Sequence, residues 1–138
     1  MFEGGCLCGE VTYAIDGGVS SVWLCHCSKC RKTTGSAFAA VALCRAEDFR
    51  WRSGEDAITH YVSPTGYPSS FCRVCGCNVP LVRADEGRAI VLPGSLDGDF
   101  EKGVSHHIFV GSKADWFEIA DDCDQFQEHV PPPPGTGA

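Results

Sequence analysis

The sequence predicts a mainly β domain of short antiparallel strands. Two observations carry this: short runs of alternating apolar and polar residues recur between glycine-containing turns, and no window sustains helical periodicity over about ten residues. A third bears on how so small a fold is held together: seven of the ten cysteines fall into three tight clusters. A chain of 138 residues with 43% hydrophobic content is the size of one domain with a real core. Residues 1–130 are expected to form a single unit, followed by a tail.

The first strand places Val11, Tyr13 and Ile15 on one face, and the second places Val22 and Leu24 on one face. Further apolar segments over residues 37–43, 57–62, 79–82, 89–92 and 104–110 continue the series. Asp16-Gly17-Gly18 and Arg52-Ser53-Gly54 punctuate it as turns. The one helical candidate covers one or two turns around residues 28–34, with Ser28 as its cap and Gly35 as its stop. Residues 131–138, with four consecutive prolines, read as an extended, solvated, proline-rich tail.

The formal charge is -7, from 11 basic and 18 acidic residues, which argues against a phosphate-backbone ligand and so against nucleic acid. The one basic cluster, Lys29, Arg31 and Lys32, lies within and just after a cysteine cluster and is placed to attract a small anion. The first residues have neither a basic n-region nor an apolar h-region, and no stretch reaches the roughly 18 apolar residues of a membrane span. The expectation is a soluble, cytoplasmic protein without membrane contact, whose cysteines remain thiols.

Those cysteines are spaced for tetrahedral zinc. The clusters are Cys6-Leu7-Cys8-Gly9, Cys25-His26-Cys27-Ser28-Lys29-Cys30 and Cys72-Arg73-Val74-Cys75-Gly76. Alternate residues of a strand share a face, so Cys6 with Cys8, and Cys25 with Cys27, can each offer two sulfurs. Cys72 and Cys75 need a tight turn instead, and Gly76 can take the positive φ such a turn uses. An iron–sulfur cluster would use the same soft donors but lacks its usual spacing here. The simplest assignment joins Cys6, Cys8, Cys72 and Cys75 in a closed structural site and leaves Cys25, Cys27 and Cys30 with an open position, as a catalytic zinc has. Cys77 keeps an alternative open, since it could fill that fourth place.

His26, between two ligands, should point away from them if the segment is extended, as a group that supports them or a purely structural one rather than a ligand. His106 and His107 lie on opposite faces of a strand, so at most one can approach a pocket, and both read as satisfied structural histidines. Cys44 reads as a buried structural thiol and Cys123 as an unpaired surface thiol.

Gly5-Cys6-Leu7-Cys8-Gly9 with Tyr13, Cys25 to Lys32 with Thr34-Gly35, and Phe71-Cys72-Arg73-Val74-Cys75-Gly76 together resemble the glutathione-dependent formaldehyde-activating enzyme family. Gly94-Ser95-Leu96-Asp97, His107-Ile108-Phe109 and Ser112-Lys113-Ala114-Asp115-Trp116-Phe117 resemble its later segments, so the likeness runs over roughly residues 4 to 128. The resemblance implies an Mss4-like (β-tent) fold, a structural zinc at Cys6, Cys8, Cys72 and Cys75, and a second zinc, the more labile, at Cys25, Cys27 and Cys30. Cys77 departs from the small or hydroxyl residue usual there, and Cys123 from an aliphatic one.

The resemblance also implies a reaction: a thiol such as glutathione adds to formaldehyde or a small aldehyde, in the manner of a carbon–sulfur lyase run as a synthase. Lys32, Thr34 and Gly35 are placed to contact the bound tripeptide. The alternative is a non-catalytic, zinc-stabilised module that binds glutathione or a protein partner. A redox sensor is a weaker reading, because the acidic flank of Cys123 is the wrong setting for a reactive thiol.

Overall fold

The computed structural model describes residues 1–132 and 134. The proline-rich tail expected over 131–138 therefore lies mostly outside the described residues. Among these there are eleven strands and one α-helix, the mainly β architecture that the alternating segments predict. The strands are β1 (Phe2–Gly5), β2 (Thr12–Ile15), β3 (Val22–Cys25), β4 (Ala39–Arg45), β5 (Phe49–Ser53), β6 (Ile58–Val62), β7 (Pro68–Cys72), β8 (Leu81–Arg83), β9 (Arg88–Val91), β10 (Val104–Ile108) and β11 (Asp124–Gln125). The helix α1 is Ser28–Thr34. No helix among the described residues is long and apolar enough to cross a membrane.

The chain divides into two compact units, one of Met1–Val22 with Val41–Gly103, the other of Trp23–Ala40 with the segment that begins at Val104. In the first unit β2 is flanked by β1 and β5, all antiparallel, with Gly5 opposite Thr12 and Tyr13 opposite Trp51. A second antiparallel group runs β4, β9, β8, with Ala42 opposite Val91 and Val82 opposite Ala89. The hairpin of β6 and β7 pairs Ile58 with Cys72 and His60 with Ser70.

Two apolar clusters hold this unit. Tyr13, Ile15, Val19, Ala42, Cys44, Ala89 and Val91 form one, with Phe49 and Trp51 packed against it. Cys6, Val11, Ala57, Cys72 and Val79 form the other. The predicted face of Val11, Tyr13 and Ile15 is fully buried, and Cys44 is the buried structural thiol the sequence suggests. A buried side chain of Val or Ile size contributes about 1.5–3 kcal/mol, so such small clusters leave room for a metal to matter. Tyr13 stacks on Phe49, and its hydroxyl donates to Ser95 Oγ at 2.7 Å while Ser95 donates to the Leu92 carbonyl. Burial raises the Tyr13 phenol to about 12, against the lowering effect of Ser95.

In the second unit β10 lies between β11 and β3. The pairing of β10 with β11 is parallel, His106 opposite Asp124, an exception to the antiparallel pattern. The connection of residues 109–123 allows it, being long enough to carry the chain back to the same end, which a tight hairpin cannot do.

Candidate functional site

The first cysteine group belongs entirely to the first unit. Between β1 and β2 the chain reverses in a tight turn: the Cys6 amide donates to the Val11 carbonyl at 2.9 Å and the Gly9 amide to the Cys6 carbonyl at 3.1 Å. Cys6 and Cys8 are thus presented by a turn and not by a strand face, because so short a link between paired strands leaves no room for an extended pair. The second half comes from the end of β7, where Gly76 donates to the Cys72 carbonyl at 2.7 Å and Cys72 to the Cys77 carbonyl at 2.9 Å. Gly76 has φ 74°, the left-handed conformation expected of it.

These two turns bring the four Sγ atoms of Cys6, Cys8, Cys72 and Cys75 within 4.8 Å of one another. Cys6 lies 3.6 Å from Cys8, and Cys8 lies 3.8 Å from Cys72. Four sulfurs at zinc–sulfur distances of about 2.3 Å in a tetrahedron stand roughly 3.8 Å apart, so the donor set fits that metal.

The ionisation of these thiols is pulled in opposite directions. The backbone amides of Cys77 and Cys8 lower Cys75 to about 6. Cys8 is lowered by the Glu10 amide, but desolvation and the neighbouring thiols outweigh this and raise it to about 12. Desolvation raises Cys6, yet the Val11 amide and the thiols of Cys8 and Cys72 bring it below its ordinary value. Four crowded sulfurs cannot all ionise without a cation between them, and a divalent ion removes that conflict. Cys77 stands apart from this group. Its thiol donates to the Asn78 carbonyl at 3.5 Å and packs against the cluster of Val11 and Val79.

The second group belongs to the second unit. Cys25 ends β3, Cys27 precedes α1 and Cys30 lies in its first turn. Their sulfurs also lie within 4.8 Å of one another, and among the described residues no fourth His, Cys, Asp or Glu joins them. The helix has the predicted extent, but its cap is Cys27 and not Ser28. Cys27 is extended at φ -65°, ψ 157°, and its Sγ accepts the Cys30 amide at 3.3 Å. A thiol thus serves in the role a hydroxyl usually fills, and one side chain caps the helix while facing its two neighbours. The hydrogen bond from Cys30 is the main influence that lowers Cys25, against desolvation. Cys25 and Cys30 are buried while Cys27 is partly exposed, so the group is approached from the Cys27 side.

Lys32, Thr34 and Gly35 lie at the exposed end of α1. The Thr34 hydroxyl donates to the Cys30 carbonyl at 2.8 Å and accepts the Ser36 amide at 3.2 Å, and Gly35 closes the helix at φ 65°. Thr34 and Gly35 therefore build the helix end, and Lys32 offers a cation beside it.

His26 lies between the end of β3 at Cys25 and the extended Cys27, and its ring meets His107: Nε2 of His26 lies 2.8 Å from Nδ1 of His107. Both rings are buried, and desolvation lowers His26. Nε2 of His107 is 2.9 Å from Asp121 Oδ2 and 3.1 Å from Oδ1. The Cys123 amide, chiefly, and then His107 hold the Asp121 carboxyl below its ordinary value. His106 stacks on Trp23 instead. Sequence reasoning misses Asp121; the acidic run around Cys123 is its only signal there. Cys123, expected as an unpaired surface thiol, is partly exposed and donates to the Val104 carbonyl at 3.3 Å. Lys113 clamps its own segment by donating to the carbonyls of Ala114 and Phe117.

Fold and cysteine geometry define a small, mainly β protein with two sulfur groups, each able to hold a metal ion. The chain belongs to the glutathione-dependent formaldehyde-activating enzyme family, whose model matches residues 1–112. All seven grouped cysteines fall within the match, whereas Asp121 lies beyond it. Among solved structures, the crystal structure of a Rhodobacter sphaeroides protein, a structural-genomics target, is similar at a TM-score of 0.58 and 27% identity. The similarity covers 75% of this chain and 99% of that one. No curated protein matches the chain.

Proposed function

We propose that the protein joins a thiol of the glutathione type to formaldehyde or another small aldehyde. The observation that carries this reading is the group of Cys25, Cys27 and Cys30, which ends at three donors among the described residues in a chain of this family. Zinc held there would supply a soft cation that keeps an incoming thiol in its nucleophilic thiolate form. Three thiolates already outweigh a divalent charge, and this favours a soft sulfur partner over hydrolysis.

The reaction is an addition and balances without a redox partner. The thiol sulfur forms a bond to the carbonyl carbon, the carbon–oxygen π pair moves to oxygen, and the thiol proton ends on that oxygen. In this reading Cys25 and Cys30 form the buried floor of the site and Cys27 its exposed rim. Lys32 attracts a carboxylate of the tripeptide, and Thr34 with Gly35 shapes the helix end beside it. Cys6, Cys8, Cys72 and Cys75 hold a structural zinc, for which the place of Cys6 and Cys72 in an apolar cluster, with Cys75 packed against it, is the support.

The test is the rate of glutathione–formaldehyde adduct formation against the spontaneous reaction. Wild type should exceed the spontaneous rate, and Cys27→Ser should fall to it and lose one bound metal ion while remaining folded. Equal rates with and without wild-type protein would reject the enzyme and leave a binding module.

A further inference from the structure

We propose that Asp121 and His107 are positioning residues for the group of Cys25, Cys27 and Cys30, acting through the His26 side chain. The inference rests on the reading above that this group holds a metal ion. It concerns side chains that the reaction itself does not use, namely a buried pair of imidazoles and a carboxylate that reaches in to them from an otherwise solvated loop.

The order of donors follows from the carboxylate. Asp121 only accepts, so Nε2–H of His107 donates to it, at 2.9 and 3.1 Å from its two oxygens. In the proposed order Nδ1 of His107 is the acceptor, and Nε2–H of His26 donates to it at 2.8 Å. Nδ1 of His26 is then left as a bare acceptor, and it is a buried atom with no partner among the described residues. The carboxylate is itself fixed, because its Oδ1 accepts the Cys123 amide at 3.0 Å.

Packing does not require this chain of hydrogen bonds. The His26 ring packs against the touching pair Phe38 and Phe117, at centroid distances of 5.6 and 6.1 Å, and a phenyl ring would pack there without burying polar nitrogens. What the hydrogen bonds add is direction. An imidazole pinned at Nε2 fixes the Cα–Cβ bond of residue 26, and the His26 amide is tied to the Ile108 carbonyl at 3.0 Å. In extended backbone the neighbours of a residue point to the opposite side. Holding His26 on one side therefore aims the sulfurs of Cys25 and Cys27 to the other.

The test uses zinc-loaded protein, chelator competition for each ion, and long-range proton–nitrogen NMR of the imidazoles. Asp121→Asn changes a side chain that is 41% exposed, so the fold should survive. Asp122→Asn removes the same charge from the next residue and serves as control. Asp121→Asn should weaken zinc at the three-sulfur group several-fold, less than the roughly 10–100-fold that follows loss of a ligand's direct partner, with the four-sulfur group unchanged. Wild-type His26 and His107 should both show protonated Nε2 and bare Nδ1.

Equal retention of the second ion by wild type, Asp121→Asn and Asp122→Asn would overturn the positioning role and leave the proposed reaction standing. The reverse tautomer on His26 would do the same. A wild type that binds only one ion, at the four-sulfur group, would overturn both.

Discussion

Cys72 and Cys44 are both buried cysteines of the first unit, exposed by 0% and 5%, and each sits in an apolar cluster. Only Cys72 has three other sulfurs around it. Replacing each by serine makes the same local change, so the difference between the two variants isolates the metal. For Cys44→Ser the new hydroxyl lies among Tyr13, Ile15, Val19, Ala42, Ala89 and Val91, and burying it costs about 1–3 kcal/mol. At about 3–4 °C per kcal/mol for a domain of this size, Tm should fall by about 3–12 °C. Cys72→Ser adds the loss of a thiolate from the four-sulfur group. A structural zinc contributes about 10–16 kcal/mol in small peptides, so even a third of that, about 3–5 kcal/mol, is a large fraction of a domain stability of about 5–15 kcal/mol. Tm should then fall by more than about 15 °C, and chelator-treated wild type should fall by a similar amount. Circular dichroism melts and elemental analysis of bound zinc read both quantities. Two variants that melt within a few degrees of each other, or a Cys72→Ser protein with the wild-type metal content, would refute the reasoning.

Tyr13 gives an alkaline signature. Its folded value is about 12 against an ordinary 10, so the folded state keeps a proton that the unfolded state loses. The stability this supports is complete below pH 10 and is lost as pH rises to about 12, by up to about 2–3 kcal/mol. Tyr13→Phe should cost about 1 kcal/mol at neutral pH through the lost Ser95 bond, and the deficit should shrink or reverse above pH 10 in urea titrations; a deficit independent of pH would count against it. Cys77→Ser should keep the wild-type zinc content and change stability by less than about 1 kcal/mol, because a serine hydroxyl can make the same bond to Asn78. Loss of an ion in that variant would make Cys77 a ligand.

The alternating segments are legible because burial on one face imposes a period of two, and β2, β3, β4, β6, β8, β9 and β10 all fall on or next to a predicted segment. Strands β1, β7 and β11 are not legible in this way: glycine-rich β1 shows no clean alternation, and β11 is two residues that only its pairing with β10 makes a strand. Strand β5 does alternate, with Phe49 and Trp51 on the core side and Arg50 and Arg52 outside, but the turn signal at Arg52-Ser53-Gly54 masks it. The helix is readable from its spacing and its glycine stop. Its true cap is not, since a cysteine imitating a hydroxyl cannot be told from a ligand by residue type alone.

The cysteine spacings alone point to a soft metal, and each cluster can be judged by itself because donors two or three residues apart share one turn. Which clusters meet is a different matter. Cys6 and Cys72 are far apart in the chain, and only the packing of Val11, Ala57 and Val79 around them brings their turns together. The same holds for His26, His107 and Asp121, whose hydrogen bonds depend on β3 lying beside β10 and on a loop folded back by the Cys123 amide. Local chemistry is written in neighbouring residues, whereas a contact between distant ones exists only after the chain has paid the entropy of bringing them together.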